Sequence, residues 1–202
     1  MRKALTAVPI LVLFLFGVAG NARAEPPARY RDPAVLRLWQ GWVDGAVAES
    51  RRTGKPVVIV DKLGRRTLLV TGGQVVDRYE VEMGGNALAD KLYEGDEATP
   101  EGLYKVSEKR GRGQTLFYRA LMVNYPTQED RREHAEALRQ GLVPRGRGPG
   151  GLIEIHGTGG RGFDWTNGCV ALTNADMDRL FAAVSVGTRI VIVGTARLPG
   201  DA

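Results

Sequence analysis

Two short apolar runs, Leu152–Ile155 and Val170–Leu172, are joined by a segment that opens with His156-Gly157-Thr158-Gly159-Gly160 and closes with Thr166-Asn167-Gly168-Cys169. The first run reads as a strand that delivers His156 into a glycine-rich loop, and the second leads away from Cys169. The chain is thereby constrained to hold one histidine and one cysteine at strand ends around a single loop, where a cleft can form. Cys169 is the only cysteine, and His156 is one of two histidines. A thiol becomes a nucleophile as its thiolate, and a neighbouring imidazole is the usual group that takes its proton.

The first residues bear on where such a thiol works. Arg2 and Lys3 precede an apolar stretch from Ala4 to Gly20, followed by Ala22-Arg23-Ala24. This is the pattern of a secretory signal peptide, residues 1–24, cleaved after Ala24. The alternative is a retained anchor, but an apolar run of roughly 17 residues is at the short limit for a span. The apolar core holds no cysteine, which excludes a lipid-anchored form. The expected mature protein is exported, with no stable membrane span. A secreted domain that uses cysteine structurally carries it in even numbers. A lone thiol makes no internal disulfide, so it is either a buried apolar residue or a group kept for reactivity.

About 178 residues then remain, enough for one domain with its own core. Three basic residues leave with the signal, so the net charge of +5 for the whole chain falls to about +2. The overall basicity therefore gives no argument for nucleic acid, and no stretch interleaves basic and aromatic residues as a single-strand binder would. Two histidines and one cysteine do not assemble a metal-ligand set, and no cofactor is expected.

Residues 25–32 read as a poorly ordered linker. Asp32 before Pro33 is a helix N-cap with proline at the first position. Val35, Leu38, Trp39, Trp42, Val43 and Val47 give the helix a stripe to dock with, and Gly54 ends it. Residues 25–55 are thus a linker and an accessory helix. From Pro56 the pattern turns to β: Pro56–Asp61, Arg65–Val70, a Thr71-Gly72-Gly73-Gln74 hairpin and Val75–Val81. Further strands are expected from Gly102 to Val106 and from Thr115 to Val123, and a last one from Thr188 to Val193. Between them Thr127 to Asp130 resembles a capping box opening a short polar helix to Gln140, in which His134 reads as solvated. Asn174 is expected to cap a further helix with Met177, Leu180, Phe181 and Val184 buried. The residues 196–202 read as a frayed tail.

The segment from about residue 56 to 195 resembles the L,D-transpeptidase catalytic family, also called the YkuD family. The resemblance rests on Ile155-His156-Gly157-Thr158 and Thr166-Asn167-Gly168-Cys169-Val170, with Gly84-Gly85-Asn86, Gly95-Asp96, Thr99-Pro100-Glu101-Gly102 and Asn124-Tyr125-Pro126 upstream. It implies a mostly β catalytic domain, sandwich- or barrel-like, with a few short helices. It also implies a periplasmic or cell-wall setting and peptidoglycan stem peptides as partners, with an amine-bearing acceptor. Two positions depart from the family pattern. Asn167 stands where the family has a histidine before Gly-Cys, and Ala171 stands where Arg or Asn is common.

The same resemblance implies that Cys169 attacks the carbonyl of the third stem residue and that His156 takes the thiol proton. An adjacent imidazole is expected to hold the thiol below its ordinary value. The N–H groups of Gly168 and Cys169 are candidate oxyanion donors, and Asn167 either adds a donor or holds the loop. Tyr125, Trp165 and Thr166 are candidates for the peptide groove, and Arg145, Arg147 and Arg161 for pairing with stem-peptide carboxylates. Hydrolysis by the same thiol, as a carboxypeptidase or amidase, is the alternative reaction. A silent wall-binding module is the alternative class.

Overall fold

The computed structural model of the chain describes residues 25–201, so the signal-peptide reading of residues 1–24 lies outside the described residues. Eight strands form one curled sheet in the order β3-β2-β1-β8-β4-β5-β6-β7. The strands are β1 (Val57–Asp61), β2 (Arg66–Thr71), β3 (Gln74–Glu80), β4 (Gly102–Arg110), β5 (Ala120–Val123), β6 (Glu154–His156), β7 (Val170–Ala171) and β8 (Arg189–Val193). The helices are α1 (Pro33–Thr53), α2 (Gln128–Arg139) and α3 (Asn174–Ala183). The result is a mostly β half-barrel with three helices, as the resemblance implies. No helix among the described residues is long and apolar enough to cross a membrane.

The uninterrupted apolar sequences of β1 and β8 follow from burial on both faces. Alternate residues of each strand enter different cores. Val58, Val60, Ile190 and Ile192 join Leu121, Ile153, Ile155, Met177 and Leu180 inside the curl. Val57, Ile59, Val191 and Val193 face the other way and meet Trp39, Val43 and Ala46 of α1. The helix therefore covers an otherwise bare sheet face. Asp32 caps it, accepting from Ala34 N at 2.8 Å, and Gly54 closes it in a left-handed conformation with φ 67°. Trp39 is its anchor. Leu38, expected in the same stripe, is half exposed, and Ala46 and Ser50 take the buried positions instead.

Several local expectations are corrected. Residues 28–31 form a 3-10 turn, because Tyr30 is buried edge-on against Trp39 with ring centroids 5.1 Å apart. The tail is docked: Leu198 is buried, and Asp201 receives Arg66 Nη2 at 2.7 Å. The strand expected from Thr115 begins only at Ala120, since 111–119 is drawn out of the sheet as a loop. Thr173, not Asn174, caps α3, accepting from Asp176 N at 3.2 Å. Asn174 Oδ1 instead accepts from Thr158 N at 2.8 Å and ties the loop after His156 to the helix. The capping box of α2 is present, Thr127 with Asp130. His134, however, is buried and donates from Nδ1 to Leu92 O at 2.6 Å.

One buried ion pair positions the wall of the future site. Lys62 is fully buried, and its ammonium donates to Ala89 O, Thr99 O and Glu101 Oε1 at 2.6, 2.8 and 2.9 Å. All three donors are used. Arg29 reaches Glu101 Oε2 at 2.8 Å from the N-terminal turn. The segment 86–101 is thereby pinned at both ends.

Candidate active site

One edge of the sheet, with β6 and β7 paired in parallel, carries the two groups that the sequence singles out. His156 is the last residue of β6, and Cys169 directly precedes β7. Both line one cleft of about 1200 Å³, bounded by Lys91, Glu94 and Glu97 on one side and by Arg110 and the 113–117 loop on another.

The turn that delivers Cys169 is built from Thr166. Its hydroxyl donates to Cys169 O at 2.7 Å and accepts from Gly168 N at 3.2 Å. Gly168 has φ +114°, and a Cβ there would lie 2.4 Å from Ala98 O. Only glycine lets the Cys169 turn close on the 96–98 backbone. A Cβ on Gly84 would meet Glu97 O at 1.9 Å, so the early Gly84-Gly85 motif serves the same close packing. The loop before Thr166 is held by two carboxylates. Asp164 accepts a two-pronged contact from Arg65 and the N–H of Met83 at 2.9 Å. Glu82 accepts from Gly162 N at 2.5 Å and Trp165 Nε1 at 2.8 Å.

His156 is fully buried. Its Nδ1 lies 2.6 Å from Gly157 O, an acceptor only, so Nδ1 carries the proton and Nε2 keeps its lone pair. Nε2 is buried with no hydrogen-bond partner among the described residues. Two aromatic rings adjoin the imidazole: Phe117 stacks on one face at 3.6 Å, and Trp165 meets it at an angle of 67° with centroids 5.7 Å apart. Arg161 lies over the Trp165 ring, 3.5 Å from its centroid.

The electrostatics correct the expectation of a low thiol pKa. Burial, aided by the charge of Arg161 and opposed by the Gly157 hydrogen bond, brings His156 down to about 4. Burial also pushes the Cys169 thiol up to about 11; a backbone hydrogen bond from Glu154 opposes that rise, and the carboxylate of Glu154 adds to it. The Sγ proton points to Leu152 O, 3.6 Å away. At neutral pH the resting pair is thiol and neutral imidazole, not thiolate and imidazolium.

Of the other candidates, Trp165, Thr166, Asn167 and Arg147 line the cleft. Asn167 is exposed, and its side chain makes no hydrogen bond among the described residues. Tyr125 does not floor the groove. It is buried, and its hydroxyl donates to Pro149 O at 2.8 Å, bracing the 144–151 loop from behind. Arg145 and Arg161 lie outside the lining. Gly168 is behind the turn with its N–H already directed to Thr166, and the backbone N–H that reaches the thiol is that of Glu154. Sequence reasoning passed over Phe117, Arg110 and Glu154. Glu154 had a visible signal, a charge inside an apolar strand; Phe117 had none, because it was read as part of a strand. Among the described residues no cluster of His, Cys, Asp or Glu is arranged to hold a metal ion.

A family model described as the L,D-transpeptidase catalytic domain, YkuD, matches residues 55–192. The protein of Escherichia coli K12 named "Putative L,D-transpeptidase YafK" is 27% identical over 113 residues, 55% of this chain and 38% of its own length. "Putative L,D-transpeptidase YqjB" of Bacillus subtilis is 27% identical over 154 residues, 75% of this chain and 78% of its own. The chain thus spans well under half the length of YafK. Among solved structures, Bd1075 of Bdellovibrio bacteriovorus superposes with a TM-score of 0.52 at 24% identity, covering 74% of this chain and 51% of that one. The helical cell shape determining protein Pgp2 of Campylobacter jejuni gives 0.53 at 21%, covering 78% and 57%. At those identities the two structures share the fold.

Proposed function

This chain belongs to the L,D-transpeptidase catalytic domain family, and from that premise we propose that it is an exported cysteine L,D-transpeptidase acting on peptidoglycan stem peptides. One observation carries the reading. The cleft holds a partly exposed thiol together with a histidine whose tautomer is set by Gly157 O, leaving Nε2 without a partner as the proton acceptor.

The reaction starts from the neutral pair. Cys169 Sγ attacks the carbonyl carbon of the third stem residue while His156 Nε2 takes the thiol proton. The new S–C bond forms, the amide C–N bond to the terminal D-alanine breaks, and Nε2 returns the proton to the leaving amine. An incoming amine then attacks the thioester; its proton passes to Nε2 and on to Sγ as the thiol leaves. The backbone N–H of Cys169 and the free side-chain amide of Asn167 are suited to the oxyanion. Asn167 supplies a neutral donor and no titrating group. Arg147, which lines the cleft, is the residue assigned to a carboxylate of the peptide.

Analysis of muropeptides after incubation with tetrapeptide-bearing peptidoglycan tests the reaction. Cross-linked dimers, or adducts with an added amine, are expected. Tripeptides alone, with D-alanine released, would establish hydrolysis instead. Failure of a carbapenem to label Cys169, with no product of either kind, would make the chain a wall-binding module.

A further inference from the structure

Glu154 is a carboxylate where the strand pattern calls for an apolar residue. Ile153 and Ile155 enter the core, so β6 turns Glu154 and His156 together to the cleft. The parallel register pairs Ile155 with Val170 and His156 with Ala171. Followed one residue back, it sets Glu154 level with Cys169. The carboxylate is thus the thiol's lateral neighbour on the sheet, and His156 is its diagonal one.

That carboxylate is poorly paired for its burial. Its side chain is 9% exposed, and its one charged partner among the described residues is Arg110 Nη1 at 3.5 Å. Arg110 directs its Nε and Nη2 to Glu108, at 3.0 and 2.9 Å. Lys91, the cation acting on the thiol, is taken up by Asp96 Oδ1 at 2.8 Å and Tyr93 O at 3.1 Å. Arg147 lines the cleft beside Gly95 and forms no ion pair with Glu154. A buried anion next to a thiol opposes the thiolate, and burial raises the carboxyl of Glu154 itself. A cation entering the cleft relieves both.

We propose that Glu154 is a specificity-determining residue of this site: it receives a primary ammonium group on the acyl donor, and that charge releases the neighbouring thiol for attack. The inference rests on the proposed reaction and adds a condition to it, that the donor carries an amine near the bond to be cleaved. The assignment to donor over acceptor follows from timing, because the thiol must be released before any acceptor amine arrives. Glu154 exchanges no atom. The thiol proton still leaves through His156 Nε2, and the ammonium keeps its own protons.

Two stem tetrapeptides test this, identical except that the side-chain amine of the third residue is free in one and acetylated in the other. D-Alanine release and the acyl-enzyme mass are followed without acceptor. Wild type should acylate the free-amine donor roughly tenfold or more faster, as befits a charge-assisted contact, and Glu154→Gln should lose that preference. A second readout needs no donor: iodoacetamide should alkylate Glu154→Gln roughly threefold to tenfold faster than wild type at pH 8. Equal acylation of both peptides by wild type, a full preference retained in Glu154→Gln, or unchanged alkylation would each overturn the inference. A wild-type protein that acylates neither peptide would defeat the proposed reaction itself, and the inference with it.

Discussion

Phe117 lies flat on His156, ring centroids 3.6 Å apart and planes 8° from parallel. The stack keeps water from one face of the imidazole, and burial is the largest cause of its low pKa. Phe117→Ala should admit water and move His156 upward from about 4 toward its ordinary value of about 6.5, while Phe117→Tyr should leave it in place. Titration of the ring protons by NMR checks this. A His156 pKa unmoved in Phe117→Ala would assign the burial to other groups.

The same depressed pKa links folding to pH. His156 is about 4 in the folded protein and about 6.5 unfolded, so between those values the unfolded chain binds more protons. Stability is therefore whole above pH 6.5, falls as pH drops through the window, and has lost its full share below about 4. That share is about 3 kcal/mol. Urea unfolding of wild type and His156→Gln from pH 7.5 to 4 should show the two converge as pH falls. Parallel curves would contradict the shift.

Lys62 should be far more sensitive than a surface lysine. Lys62→Met leaves the carboxylate of Glu101 buried with only Arg29 beside it and removes donors from Ala89 O and Thr99 O. A loss of about 3–5 kcal/mol is expected from breaking a buried pair on one side. Denaturant midpoints measure it. Since the same contacts pin the 86–101 segment against the cleft, acylation should slow as well. A midpoint within error of wild type would show that the ammonium is dispensable.

Two glycines separate the packing of α1 from its propensity. A Cβ on Gly194 would lie 2.2 Å from the Trp39 ring, whereas a Cβ on Gly45 meets nothing within 4 Å. Gly194→Ala should cost about 1–3 kcal/mol by forcing the indole out of its seat. Gly45→Ala should gain up to about 1 kcal/mol as a helix former replaces glycine. Melting temperatures that move together would mean that α1 is a tether and not part of the core.

How far the chain was legible before its structure depends on the range of each signal. Strands β1, β2, β3 and β8 stood out because their apolar runs and the Gly72-Gly73 turn are local. The docking of α1 was legible from its two tryptophans, although the partner face was not. His156 and Cys169 were legible as a pair because β6 and β7 carry them to neighbouring strand ends. What escaped depends on distant parts of the chain. Phe117 stacks on a residue 39 positions away. His134 looked solvated among charged neighbours because Leu92 O, its partner, belongs to another loop. The thiol's direction of shift was misread for the same reason: burial, which drives it upward, is not a property of adjacent residues.

The central claim is that Cys169 becomes acylated by a stem peptide with loss of D-alanine. Intact-protein mass spectrometry on wild type and Cys169→Ala, quenched during turnover of a tetrapeptide, tests it most directly. The account expects a wild-type adduct equal to the tripeptidyl acyl group, mapped to Cys169, with one D-alanine released per adduct. Cys169→Ala should show neither adduct nor release. D-Alanine released by the alanine variant at the wild-type rate, or an adduct mapped to any other residue, would contradict it.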